Sequence, residues 1–147
     1  MAQDYTRQCF FDAARRRAGE ARVLLDQPER PKQRDGAVTM ALLASECALK
    51  AVLMHGHQAN RLADLPEGPR NAYFKSKRGH DLRAIWWDLP SRIAAGSGAT
   101  ESKAILLLHQ ADRYEHRYGL KKPKRDEAEP YVQAAEHLVA WMNNLVT

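Results

Sequence analysis

The stretch from Ala37 to Leu53 does most to decide what this chain can become. Val38, Leu42, Ser45, Leu49, Val52 and Leu53 recur at helical spacing, and Ala41, Ala44, Ala48 and Ala51 lie among them. Alanine loses no side-chain entropy in a helix, and its small side chain lets a neighbouring backbone approach closely. The spacing predicts a helix that begins near residues 33–35 and ends near His55-Gly56. Its apolar side needs other elements packed against it.

The remaining segments supply those partners. From Asp4 to about Gln27, Phe10, Ala14, Ala18, Ala21 and Leu25 mark one face of a long amphipathic helix, with Arg15, Arg16, Glu20 and Arg22 on its other faces. Pro28 and Pro31 stop it. Residues 57–77 read as a long connection punctuated by Pro66, Gly68 and Pro69, with a short helical turn around Leu62–Leu65. Connections of that length in compact domains are often functional. Gly79-His80-Asp81-Leu82 then introduces a helix with His80 or Asp81 at its N-cap and Leu82, Ile85, Trp86 and Leu89 inward, until Pro90 ends it. After the break at Gly96–Thr100, Thr100 or Ser102 caps a helix lined by Ala104, Leu107, Leu108, Ala111, Tyr114 and Tyr118, with Gly119 as its stop. Pro130 suits the first turn of a last helix lined by Val132, Ala135, Val139, Met142 and Val146. No segment alternates as a strand does. The expected fold is all-α: a single domain over residues 1–147, a bundle of about five helices with the first two antiparallel.

Composition sets outer limits on function. At 147 residues with 44% hydrophobic side chains, the chain can bury one core. Cys9 and Cys47 are too few for a disulfide framework or a four-thiolate metal site, so a reducing, cytoplasmic setting is expected. No uninterrupted apolar run approaches a membrane span, and the first residues lack the apolar region of a secretion signal, so no membrane association is expected. The net charge of +5 is unevenly spread. Between Arg113 and Arg125 lie six bases and one acid, whereas from Asp126 onward there are four acids and no Lys or Arg. A basic patch of this kind attracts a nucleic acid, a nucleotide or an acidic partner, or is simply a solvated surface.

Several residues could carry chemistry. Glu46 and Lys50 share a helical face in the favourable order, as a surface ion pair or as the edge of a pocket. Cys47 falls toward the apolar side and reads as a packed thiol. His80 and Asp81 stand at a helix entrance, where they cap the helix or, amid Lys75, Lys77, Arg78 and Arg83, contact an anion or exchange a proton. Arg113 and Arg117 lie one turn apart, as do Tyr114 and Tyr118. Two guanidiniums on one face call for something negative between them, either Glu46 or a ligand phosphate held by guanidinium forks. His116 could move a proton during RNA cleavage while Arg113 steadies the phosphorane charge. Trp86-Trp87 points one ring inward and one outward; the outward ring covers the loop or a dimer partner, or stacks on a base. His55 and His57 lack further matched ligands, so no metal site and no cofactor is expected.

Taken in order, these features resemble the HEPN (higher eukaryotes and prokaryotes nucleotide-binding) domain family. The likeness covers about residues 4–145 and rests on four places: the Ala41–Leu53 helix with Glu46 and Lys50, the Gly79-His80-Asp81-Leu82 motif, Arg113-Tyr114 with Arg117-Tyr118, and the long helix that precedes them. It implies a helical module, frequently homodimeric, that binds a nucleotide, RNA or a partner protein in a toxin–antitoxin or defence setting. A cognate antitoxin or a small nucleotidyltransferase is the implied protein partner. Lys50, Glu46, His80, Asp81, Arg117 and Tyr118 are then the expected ligand-binding residues, with Lys121–Arg125 adding charge. The catalytic branch of the family is similar to a metal-independent ribonuclease with Arg, four to six residues, then His. This chain departs from that pattern, because only two residues separate Arg113 from His116. A binding module is therefore the first expectation, a ribonuclease using Arg113 and His116 across a dimer interface the second, and a non-catalytic dimerisation or adaptor domain the third.

Overall fold

The alanine-rich segment forms a 23-residue helix, Arg34–Gly56, in which every residue from Ala48 to Met54 is buried. In the computed structural model, residues 5–27, 34–91, 93, 98–111 and 123–146 are described. Among them the helices are α1 (Arg7–Leu25), α2 (Arg34–Gly56), α3 (Glu67–Phe74), α4 (Leu82–Trp87), α5 (Ala99–Ala111) and α6 (Arg125–Val146). Short 3-10 turns occupy Leu62–Asp64 and Lys77–His80, and no strand occurs among the described residues. The fold is an all-α bundle around α2. By length and composition α2 is apolar enough to cross a membrane, yet 61% of its most apolar window is buried inside the bundle.

The first two helices are antiparallel, and hydrogen bonds at one end show it. Arg7 N–H donates to the Asn60 carbonyl and Leu62 N–H to that of Tyr5, both at 2.8 Å, joining the start of α1 to the chain just beyond α2. At the other end, a Cβ on Gly36 would lie 3.5 Å from Leu24 Cδ1. Phe11, Ala14, Ala18, Ala21 and Leu25 form the buried stripe of α1. Thr6 caps the helix, setting its start at Arg7 rather than Asp4, and Phe11, three residues before Ala14, takes the place in the stripe expected for Phe10. Phe10 instead packs edge-on against Phe74, with ring centroids 5.3 Å apart.

α6 lies along α1 in the opposite direction, held by charge. The Arg22 guanidinium meets Glu129 at 2.9 Å and Glu136 at 2.6 Å, and these two carboxylates raise its already high pKa. Arg15 donates to Asn143. Arg125 donates to the Leu25 carbonyl at 2.9 Å and to Asp26 at 2.7 Å, so it closes the C-terminus of α1. The acidic side of α6 is thus partly spent on α1. The Arg125 side chain holds the Asp26 carboxyl below its ordinary range.

Three further boundaries differ from the sequence expectation. The long connection contains α3, which starts after Pro66 and carries Pro69 in its first turn, where a missing amide breaks no helical bond. α5 begins at Ala99, so Thr100 and Ser102 lie inside it, and Ile105 rather than Leu107 faces the core with Ala104, Leu108 and Ala111. α6 begins at Arg125, which leaves Pro130 inside the helix rather than at its start. In α2, Leu42 is only half-buried. The helix closes with Gln58 N–H donating to His55 and Ala59 N–H to Met54, and Gln58 at φ 56° takes the left-handed position that glycine usually fills. Ala59 and Met54 then bury together with Leu65.

Replacing Arg22 by Met keeps the aliphatic stem and leaves Glu129 and Glu136 without their shared counter-charge. The expected loss of stability is about 1–2 kcal/mol, read by urea denaturation. Because part of it is Coulombic between half-exposed groups, the loss should shrink in salt of about 1 M.

Candidate functional site

The second half of α2 brings Glu46 and Lys50 to one face, one turn apart. Lys50 is buried: its Nζ lies 3.4 Å from Glu46 Oε2 and 5.3 Å from the Phe74 ring centroid. An ammonium against an aromatic face and a carboxylate keeps favourable electrostatics despite losing water. The other Glu46 oxygen, Oε1, lies 2.6 Å from Nδ1 of His80. A carboxylate only accepts, so the proton of this bond sits on Nδ1 and the Nε2 edge lies on the far side of the ring. The Glu46 side chain is 13% exposed and that of His80 is 54% exposed, so the carboxylate is an inner support for an imidazole that meets solvent.

The turn Lys77–His80 reaches this position because Gly79 lets it lie flat on the end of α3. A Cβ at Gly79 would stand 2.2 Å from the Tyr73 carbonyl oxygen and 3.3 Å from Lys50 Nζ. No other residue fits there without moving backbone. The Tyr73 hydroxyl donates to the Asp88 carboxylate and also lies 3.2 Å from the Ala84 carbonyl, which fastens α3 to α4. Asp81 is the N-cap of α4 and accepts from Ala84 N–H at 3.1 Å. That amide, which could have faced an anion, is satisfied within the chain, and His109 Nδ1 approaches the same carboxylate at 3.7 Å.

The structure thus brings together Glu46, Lys50 and His80, with Asp81 beside them as a cap. Arg113, Tyr114, His116, Arg117, Tyr118, Gly119, Lys121 and Lys122 lie outside the described residues, as do Pro28 and Pro31. The pairing of Glu46 with Arg113 or Arg117 lies there too. Among the described residues the partners of Glu46 are Lys50 and His80. Tyr73 and Phe74 were missed by the sequence reading because they fall in the stretch taken as a connection; Pro66 followed by Glu67 was the helix-start signal that marks them.

The cysteines differ in character. Burial pushes the Cys47 thiol up, in keeping with a packed side chain. Cys9 is exposed, and the Thr6 hydroxyl 3.1 Å from its sulfur draws its pKa down. No group of three or more His, Cys, Asp or Glu that could hold a metal ion occurs among the described residues. Chemically, the cluster can present His80 as a hydrogen-bond acceptor at Nε2 or, once protonated, as a donor to an anion. No family model, no curated protein and no solved structure matches this chain.

Gly79→Ala should cost about 1–3 kcal/mol by driving the turn away from the Tyr73 carbonyl, read as a lower Tm by circular dichroism. An unchanged Tm would show that the turn does not rest on α3 as described.

Proposed function

We propose that this chain is a HEPN-like helical module that binds the phosphates of a nucleotide or an RNA strand at the His80 edge of the Glu46–Lys50–His80 cluster. One observation carries this reading. Two motifs that the resemblance singles out, 34 residues apart in the chain, meet in a 2.6 Å hydrogen bond. That bond holds an exposed imidazole in a segment that also carries Lys75, Lys77, Arg78 and Arg83. Glu46 fixes the orientation of His80, Lys50 offsets the charge of Glu46, and protonation of His80 adds a donor for phosphate oxygen. Binding of this kind weakens steeply with salt, because each phosphate neutralised releases counterions.

The test is equilibrium binding of a fluorescent RNA oligonucleotide and of ATP by the whole chain, beside His80→Ala. Expected are saturable, salt-sensitive binding, a several-fold loss in His80→Ala, and no shortening of the RNA. Metal-independent cleavage that disappears in folded Arg113→Ala and His116→Ala proteins would replace this reading with the ribonuclease one. Absence of any binding would leave the adaptor reading.

A homodimer is part of the proposal, and a specific surface favours it. Gly19, Glu20, Val23, Leu24 and Met40 line an open groove between α1 and α2, and Val23 is 58% exposed. A Cβ on Gly19 would meet nothing within 4 Å, so a helix of a second copy has room to approach there. Light scattering at micromolar concentration should give twice the chain mass of 16.7 kDa. The monomer mass throughout that range would remove the dimer.

A further inference from the structure

We infer that the outward face of α4 is a stacking platform for unpaired bases, so that the ligand is a single-stranded nucleic-acid segment rather than a lone phosphate group or a duplex. The inference rests on the reading above and names the ligand that the same region would take. Trp87 is 74% exposed, more than any other large hydrophobic residue described. Its neighbour Trp86 turns the other way and packs on Trp141, with centroids 5.6 Å apart. The outward ring therefore stands on a helix anchored from behind, and Asp88 at the end of that helix is fastened to Tyr73. An indole left in water on a firmly held helix is a surface that a flat partner can cover.

The charges around it select the partner. Arg83 is exposed and lies one helical turn before Trp87, on the same face. Between Lys75 and Asp88 the chain carries Lys75, Lys77, Arg78 and Arg83 against Asp81 and Asp88. Asp81 accepts from the α4 amide and Asp88 from the Tyr73 hydroxyl, and both carboxylates keep their charge. Four bases against two acids leave this stretch of the chain net positive, and of them Lys75 and Arg83 are exposed as the indole is. A polyanion with flat, unpaired π-faces satisfies both features at once. A free phosphate would use only the cations, and a duplex keeps its base faces stacked on one another. An acidic protein segment would use the cations without needing a planar partner for the indole.

Fluorescence anisotropy with the whole chain separates these cases, using a labelled oligo(U), an abasic ribose-phosphate strand of the same length and a blunt RNA duplex, with poly-glutamate as competitor. The wild type should bind oligo(U) about tenfold more tightly than the abasic strand, in line with the stacking contribution of one or two bases. Trp87→Ala should abolish that preference while leaving abasic-strand binding unchanged, and Trp87→Phe should restore part of it. Equal wild-type affinity for oligo(U) and the abasic strand, tighter binding of the duplex, or equal displacement by poly-glutamate would each overturn the platform. Binding that depends on His80 but not on Trp87 would overturn this inference and leave the proposed function standing. No binding of any nucleic acid or nucleotide would overturn both.

Discussion

Close approach of helix backbones at the alanine positions of α2 is the constraint on which the rest of the structure depends. Ala37, Ala41, Ala44, Ala48 and Ala51 are all fully buried, so α1 and α6 can pack against α2 with few long side chains between them. Small side chains shift the work of filling the core to Leu25, Leu49, Leu53, Ile105, Leu108, Leu138 and Met142, which come from four different helices. Enlarging any of the alanines would force helices apart instead of reorienting one side chain. The polar clamp between Arg22 and α6 presumes this spacing, because its 2.6–2.9 Å contacts span two helices that the alanines have already brought near.

The candidate site depends on the same helix. Lys50 and Glu46 stand on α2 close to the level where it is enclosed on all sides, and their charges are tolerable there because each has a partner. Gly79 and Tyr73 then bring the Lys77–His80 turn against them. The imidazole is consequently supported from inside the bundle and presented outside it, an arrangement that neither motif could form alone.

Much of this was legible in the residues. Helical spacing located α1, α2, α5 and α6, and the pattern at Gly79-His80-Asp81-Leu82 placed the start of α4, because periodicity and capping are local properties. Trp86 and Trp87 were correctly divided between inward and outward, since consecutive helical residues point about 100° apart. What escaped was set by tertiary contact. Arg22 read as a surface cation because its carboxylates lie more than a hundred residues away on α6. α3 was hidden by its prolines and glycine, and its worth comes from Tyr73 and Phe74 packing against other elements. The contact between Glu46 and His80 could not be read from spacing, though both residues were singled out. Phe10 and Phe11 both lie within one turn of Ala14, and which of them joins the stripe was decided by Phe74, which takes the Phe10 ring.

The Tyr73 latch has a thermodynamic side. It ties α3 to α4, while the hold of this pair on the bundle includes the Glu46 bond to His80 and the Trp86 contact with Trp141. Such a segment can open as a unit, at a free-energy cost smaller than that of unfolding the α1–α2–α6 frame. Anything that binds only the docked form removes part of that opening equilibrium. Occupancy of the surface would then be felt as slower amide exchange across residues 67–88, including amides that touch no ligand, with the frame behind them unchanged.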